Sequence, residues 1–596
     1  MDSMDRVDLL IVGAGWHGLV MAKTYIETHP EASILILDYG ESIGGTWAEE
    51  RLYPGLKTNN IVGTFEFSDF PLTPKLYGLE PGQHIPGTVV HKYLCDFSKH
   101  YDLESRIRLR TKVDTATLLP SGLWQIGYST SPSSSAGAEK SDMEPTTGRG
   151  EVLASKLVLA TGLSSQPFMP PLPGRENFKG HIFHAKDFKS RAEDIASSKT
   201  VVVIGGNKSA WDVCYTSAAR FGANAHMIMR RSGGGPSWVW PAKFPGFFTS
   251  LAGLSSTRLV SWLDPSPFGP SGKAMRAIMN RSWVGQKLIS LFWSHLDSKV
   301  ASFNEYDGHP RTKNLKPWTS TYWMGNSLSI HNYETRWFDL AKDGRITAHA
   351  AEVVSLSEGT VQLSDGTSIK ADAIVCCTGW EAKPNIKFLP EDVATKIGFP
   401  GELPSDPSLK AQVREEVWNS APILRREPIR NLPVSLNAET LPSKKEKSES
   451  SPYRLYRFVV PYHHDFIRRR NFAIIGAHIT IHTAILSQAQ ALWITSYFDS
   501  RIRHLEGSNK EPDYHKIKHD TFYHTEFERI RRPRETGGAG ERYPDLVVDS
   551  IPYADMLLSD MGLTYHRKQS LYKEIMEAYR VSDYKGLVNE WIELHS

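Results

Sequence analysis

VDLLIVGAGWHG, residues 7–18, decides the fold. An apolar run of strand type enters a glycine turn, and LVMAKTYIET (19–28) leaves it with the spacing of a helix. SILILD (33–38) then supplies a second strand, so the segment reads as one βαβ unit. Gly13, Gly15 and Gly18 are the three glycines of the turn. Such a turn lets backbone approach a pyrophosphate, and the helix N-terminus offers it free N–H groups. Asp38 ends the second strand. A carboxylate there accepts hydrogen bonds from both ribose hydroxyls and repels a 2′-phosphate, so FAD or NAD is expected rather than NADP. A tight turn with no ligand is the plain alternative.

The pattern recurs in altered form. TVVVIG (200–205) runs into GGNKSAWD (205–212), then WDVCYTSAARFG and the strand NAHMIMR (224–230). Gly205 keeps the turn, Asn207 stands where the second glycine should be, and Ala210 replaces the third. Asparagine tolerates positive φ better than other non-glycine residues, which would preserve the turn. Lys208 and Ser209 are placed to contact phosphate. Arg230 and Arg231 end the strand where the first copy has Asp38. Cations there suit a 2′-phosphate, hence NADPH, although an arginine pair also suits a solvated turn. Two turns whose ribose-reading residues differ in sign imply two different nucleotides, and hydride transfer from NADPH to a flavin is the natural chemistry.

Each unit is closed much later by a similar strand, KLVLATG (156–162) and DAIVCCTG (372–379), which place Thr161, Thr378 and Gly379 at equivalent tips. A hairpin is expected before each: LWQIGYS with GEVLASK, and TVQLSDGTSIKAD around Asp365-Gly366. The fold class is therefore α/β, with two nested Rossmann-like dinucleotide-binding domains. Residues 1–165 plus 376–500 form the first and 166–375 the second, which carries a Trp-rich insert at 237–335. Residues 501–596 are expected to form a helical cap. In the insert, Val284, Leu288, Leu291, Phe292 and Leu296 mark a helix face. The Ser/Gly/Pro-rich stretch 129–148 and the polar tract 441–452 read as mobile.

Composition bounds the rest. With 69 basic and 66 acidic side chains in 596 residues, nothing favours nucleic-acid binding. The four cysteines include no CxxC, which argues against a disulfide reductase and for a reduced, cytoplasmic setting. No signal peptide, retrieval tag or transmembrane run is read, and the oligomeric state is not. Phe244, Phe247, Phe248, Leu251 and Leu254 could line a substrate tunnel, dip into a membrane surface or simply pack the insert.

Further motifs carry a resemblance. ESIGGTWAEERLYPGLKTNN (41–60) and FEFSDFP (65–71) follow the first unit, FKGHIFHAKDF (178–188) fits FxGxxxHxxxF between the domains, and NFAIIGAHITIHTAILSQAQALW (471–493) returns to the first. Together with GAGWHG, these resemble the class B flavin monooxygenases: the flavin-containing monooxygenases and their Baeyer–Villiger relatives. The insert and the tail segment DYKGLVNEW are most similar to fungal members that tailor secondary metabolites. The resemblance implies bound FAD and NADPH, a small organic substrate and O2. It implies a cycle in which NADPH reduces FAD, oxygen adds at flavin C4a, and one oxygen atom passes to substrate while the other leaves as water. Such a cycle needs a dry pocket.

By the same resemblance, Gly45, Thr46 and Trp47 would line the FAD pyrophosphate and flavin. Asn59 would sit near C4a as the catalytic residue, Val113 would contact adenine through its backbone, and His482 and Thr483 would open a helix toward flavin N1 and O2. His184 would position the linker. Blander readings stand beside these: Asn59 suits a turn, Trp47 a core, and His482 a simple helix start. No metal is expected, and His463-His464-Asp465 lacks a third ligand at helical spacing. Phe188, where Baeyer–Villiger members have Trp, favours hydroxylation or heteroatom oxidation, whereas YPG at 53–55 also occurs in the Baeyer–Villiger group. A non-catalytic dinucleotide-binding flavoprotein and an NADPH oxidase releasing hydrogen peroxide are the rival readings.

Overall fold

The computed structural model describes residues 5–132, 148–241, 250–324, 328–401, 406–433, 436, 451–505 and 511–596. Phe244, Phe247 and Phe248 lie outside the described residues, as do most of the 129–148 stretch and the 441–452 tract.

In chain order the strands of the two main sheets are β1 (Arg6–Val12), β2 (Ile34–Leu37), β3 (Ile107–Arg108), β4 (Thr111–Leu118), β5 (Trp124–Thr130), β6 (Gly148–Leu159), β7 (His181–His184), β8 (Thr200–Ile204), β9 (Asn224–Met229), β10 (Ile346–Ala350), β11 (Ala373–Cys376), β12 (Lys387–Leu389) and β13 (Phe472–Ile474). The first sheet runs β12-β4-β5-β6-β1-β2-β3, with β13 also paired to β6; the second runs β10-β9-β8-β11-β7. The second sheet is wholly parallel. Strands β8 and β11 are buried apolar runs, because the helix Lys208–Tyr215 packs on one face through Trp211 and Val213 and a small antiparallel sheet packs on the other through Leu356, Val361 and Ile369.

The two sheets repeat one arrangement. β1 lies between β2, which leads to Asp38, and β6, which leads to Thr161. β8 likewise lies between β9, which leads to Arg230, and β11, which leads to Thr378. A strand with neighbours on both sides opens a crevice at its carboxyl end, where ligands bind in such sheets. The first expected hairpin forms between β5 and β6, and β6 continues unbroken into LVL. The second belongs to a separate three-stranded sheet, with Gly366 at φ +86° in its turn.

The helices used below are α1 (Trp16–Thr28), α2 (Lys208–Tyr215), α3 (Lys273–Arg281), α4 (Trp283–Asn304), α5 (Pro407–Ser420), α6 (Thr483–Phe498), α7 (Tyr514–Arg531) and α8 (Ser550–Met561). α6 is buried along its whole length and packs on α1 and α8. The last hundred residues are helical, as expected of the cap, and pack into both cores. Ile551, Leu557 and Leu558 enter the core around α1 and α6, whereas Phe527, Val547 and Val548 enter the core of the second sheet. Val417, Ile423 and Leu424, from the return segment, join that second core as well. Buried ion pairs stitch tail to insert: Arg258 with Asp555 and Glu574, and Arg531 with Asp264.

The insert contains the expected helix, but not the expected buried face. Gly285, Ile289, Trp293 and Val300 of α4 point inward, with Phe292 and Leu296 partly buried, while Val284, Leu288 and Leu291 are exposed.

Candidate active site

The first glycine turn is built by close approach. Gly13 takes φ +114°, and a Cβ on it would lie 2.5 Å from the carbonyl oxygen of Ala160. A Cβ on Gly18 would lie 1.9 Å from the carbonyl oxygen of Gly13, so the third glycine lets α1 press against the turn. Gly44 donates its amide to Ala14 O at 2.9 Å, bringing the GGTW loop alongside. α1 begins after Gly15 with no side-chain cap, which leaves its first N–H groups for a ligand. Asp38 is tied into the same turn: Oδ2 accepts from Ala14 N at 2.6 Å and Oδ1 from Gly40 N at 2.7 Å. Burial raises the Asp38 carboxyl above its ordinary range, and these two amides oppose that rise. Each carboxylate oxygen keeps a lone pair for a ribose hydroxyl.

A cavity of about 640 Å³ opens over this turn. Gly13, Gly15, Asp38, Gly45, Thr46, Trp47, Asn59, Val113 and Thr161 line it from the first sheet's side, and Thr483 from α6. Lys208 and Ser209 line it from the second. The Asn59 amide makes no side-chain hydrogen bond among the described residues, so it faces the cavity uncommitted. Its neighbour Asn60 instead donates to Ile481 O at 2.8 Å, and Thr58 Oγ1 donates to Asn60 O at 2.6 Å. These bonds fix the LKTNN strand against the start of α6. The sequence carried a signal for Asn60 in the same Asn-Asn pair, but nothing local separates the two roles.

His482 differs from expectation. Its Nε2 meets Ser255 Oγ at 2.9 Å inside the protein, outside the cavity lining, and burial lowers its pKa to about 4. The ring therefore stays neutral and serves the insert rather than the cavity.

The second turn reproduces the first at one point and departs at others. A Cβ on Gly205, at φ +148°, would lie 2.5 Å from Cys377 O, as Gly13 stands to Ala160. Asn207 has φ −89°, ordinary extended backbone, so the positive φ expected of it is not needed. Gly15, at φ −84°, shows that this position calls for a small neighbour rather than a left-handed residue. Here the turn is covered instead by Ser237, whose amide donates to Gly206 O at 2.9 Å and whose Oγ lies 3.4 Å from Asn207 Oδ1.

Lys208 also departs from expectation. Its ammonium is paired with Asp212 and donates to Asn332 Oδ1 at 2.8 Å, which holds it inward rather than toward a pyrophosphate. Tyr53 OH and Tyr333 OH donate to the two Asp212 oxygens, each at 2.9 Å.

Arg230 and Arg231 are exposed at the carboxyl end of β9, outside the cavity lining. Arg534 and Arg542 lie near enough to repel Arg230, and Arg430 donates to the carbonyls of Arg231 and Gly233. Three arginines from distant segments thus gather around this strand tip, and no local motif announces them. Glu352 accepts from the Arg231 amide at 2.9 Å.

The linker signature is a positioning device. Lys186 N donates to His184 Nδ1 at 3.0 Å, so Nε2 carries the proton and donates to Gly379 O at 2.9 Å. Thr378 Oγ1 donates to Phe168 O at 2.5 Å. Phe188 is buried, edge-on to Tyr53 at 5.6 Å between ring centroids. His463, His464 and Asp465 do bring three donor atoms within 4.8 Å of one another, with Lys396 Nζ 3.2 Å from the same carboxylate.

A cavity lined by the first glycine turn on one side and by the start of the second unit's helix, Lys208 and Ser209, on the other belongs to a two-nucleotide flavoprotein fold. The flavin-binding monooxygenase-like family model matches residues 6–248. The chain is 32% identical to the FAD-dependent monooxygenase resA of Aspergillus sclerotiorum, over 98% of each chain. It is also 32% identical to an FAD-dependent monooxygenase of Pyrenophora dematioidea, over 95% of this chain and all of the other. A caprolactone-bound cyclohexanone monooxygenase shares the fold at 15% identity, covering 94% of this chain and 98% of that one, with a TM-score of 0.57. The chain belongs to the FAD-dependent, flavin-binding monooxygenase-like family, and is an oxidoreductase.

Proposed function

We propose that this enzyme consumes NADPH and O2 to place one oxygen atom on a medium-sized, polyketide-like organic metabolite, releasing NADP⁺ and water. Residues 1–165 with 376–500 serve as the FAD module and residues 166–375 as the NADPH module. The observation that carries the reading is the paired strand tips: a buried acid, Asp38, on one turn, and Arg230-Arg231 amid further arginines at the equivalent place on the other.

The first turn fits FAD. Gly13 and Gly18 leave no room for a Cβ, so the strand, turn and helix close tightly, and the uncapped start of α1 faces the cavity. Gly13, Gly15, Gly45 and Thr46 would hold the pyrophosphate, Asp38 the ribose, Val113 the adenine, and Trp47 the flavin edge. FAD supplies the two-electron redox centre and the reaction with O2. The Asn59 amide donates a hydrogen bond into the cavity without changing charge. Thr483 presents the N-terminus of α6, whose dipole favours negative charge. Trp47 and Phe65, 6.0 Å apart edge-to-face, help exclude water from that wall.

Phe188 supports hydroxylation or heteroatom oxidation. The YPG tyrosine packed on it supports Baeyer–Villiger insertion into a ketone as the second reading. Purified enzyme with NADPH and candidate metabolites tests the proposal: one added oxygen in the product is expected, and flavin that stays oxidised under anaerobic NADPH would refute it. A ketone-bearing substrate separates the two readings, since only insertion yields an ester.

A further inference from the structure

The insert exposes an apolar face that no described element covers. On α4, Val284, Leu288 and Leu291 recur at helical spacing along one side, and Trp283 at its start is 73% exposed. Leu291 is 65% exposed and Leu288 48%. On the adjoining α3, Met275 and Ile278 are exposed too. The two helices are held tightly: a Cβ on Gly285 would lie 2.2 Å from Met279 O, so the pair presents its surface as a rigid unit. None of these residues lines the nucleotide cavity.

The unpaired charges carried by α3 and α4 themselves have one sign, and the exposed acids just beyond α4, Glu305 and Asp307, are paired with Lys342 and Lys316. Lys273, Arg281, Lys287 and Lys299 are exposed and make no ion pair among the described residues. The single acid between positions 273 and 304, Asp297, is partly buried and accepts hydrogen bonds from the amide and hydroxyl of Thr321. Large apolar side chains with a tryptophan at the edge and unpaired cations on the same two helices match the interface of an anionic bilayer: rings and leucines enter the headgroup boundary while lysines meet lipid phosphates and carboxylates. A second copy fits less well, because an isologous contact would set these cations against each other.

We propose that the α3–α4 face is a docking surface for an anionic lipid membrane, on which the enzyme lies without crossing it. No helix among the described residues is long and apolar enough to span a bilayer.

The test is cosedimentation of the full-length, flavin-loaded enzyme with phosphatidylcholine vesicles, and with vesicles that also contain phosphatidylserine. Pelleting with the anionic vesicles is expected, weaker by about tenfold or more in Lys273→Glu/Arg281→Glu/Lys287→Glu and falling with added salt. Trp283→Ser/Leu288→Ser/Leu291→Ser should abolish it with flavin absorbance unchanged; should that variant fail to fold, the charge variant still decides the matter. Failure of the wild type to pellet with either vesicle would overturn the proposal, as would equal pelleting by wild type and the charge variant. A concentration-dependent dimer in sedimentation velocity, lost in the serine variant, would assign the face to a second copy and likewise overturn it.

Discussion

Tyr53 donates its hydroxyl hydrogen to Asp212 across 2.9 Å, joining the loop after the first βαβ unit to the helix of the second. Tyr333 and Lys208 hold the same carboxylate, so Asp212 is the knot between the two halves of the cavity. Tyr53→Phe removes one strand of that knot and keeps the ring packing on Phe188. A loss of about 1–2 kcal/mol is expected, because Asp212 is left short of a donor in a poorly solvated place. Chemical denaturation measures it; Asp212→Asn should lose more, since it also removes the anionic partner of the half-buried Lys208 ammonium.

Asp38 organises the turn before it reads a nucleotide. Asp38→Ala leaves the Ala14 and Gly40 amides without their acceptor and removes the ribose contact. The variant should purify with much of its flavin missing, read as the ratio of flavin to protein absorbance. Asp38→Glu would be worse than its charge suggests, because both oxygens are fixed by bonds of 2.6 and 2.7 Å.

The arginine gathering at the second strand tip gives a nucleotide preference. Arg230→Ala/Arg231→Ala should raise KM for NADPH by about tenfold or more while leaving KM for NADH nearly unchanged, the loss expected for charge-assisted contacts to a 2′-phosphate. Equal effects on both nucleotides would show that neither side chain reads the phosphate.

Much of this site is legible along the chain, and the reason is local. Gly18 is forced by the carbonyl of Gly13, five residues back, and Asp38 lies one strand away from the turn it serves; Gly13 and Gly205 meet the distant Ala160 and Cys377, but the strand-turn-helix pattern around each marks them all the same. What is illegible is long-range. Arg534 and Arg542 of the tail reach Arg230, Arg430 of the return segment reaches the backbone of Arg231, and His482 turns away because Ser255 of the insert offers it a partner. Asn207 misleads for a different reason: glycine occurs at its position for close approach, so a tolerance of positive φ has no bearing there. Helical spacing in α4 located the helix correctly but not its outward side, since a face made for an external surface has the same period as one made for a core.

Asn59 faces the cavity with an uncommitted amide. Asn59→Ala should keep flavin content and its reduction by NADPH while diverting oxygen to hydrogen peroxide, detected with a peroxidase-coupled dye. Asn60→Ala should act differently, loosening the strand against α6 and lowering flavin retention as well.

Buried histidines set an acid limit. Burial lowers His17, His226 and His482 to about 4, and His331 and His478 to about 3, from an ordinary value of 6.5. With folded values below the unfolded one, the unfolded chain binds more protons between those limits. The share of stability these histidines contribute is therefore full above pH 6.5 and falls as pH drops toward 4 and then 3. His482→Gln, which can still bond Ser255, should lose less melting temperature than the wild type between pH 6.5 and pH 4.

Trp124 donates its indole hydrogen to the carbonyl of Asn471, 347 residues further along, where the chain returns to lay β13 beside β6. During synthesis at about 5–20 residues per second, that partner emerges roughly 20–70 s after the indole. Through that interval the nascent first sheet lacks its final strand and the α6 blanket, leaving an oily flank open on the ribosome. The second sheet waits too, since Phe527, Val547 and Val548 of its core emerge later still, and a chaperone that shelters the waiting halves should govern the yield of holoenzyme more than any single contact in the finished molecule.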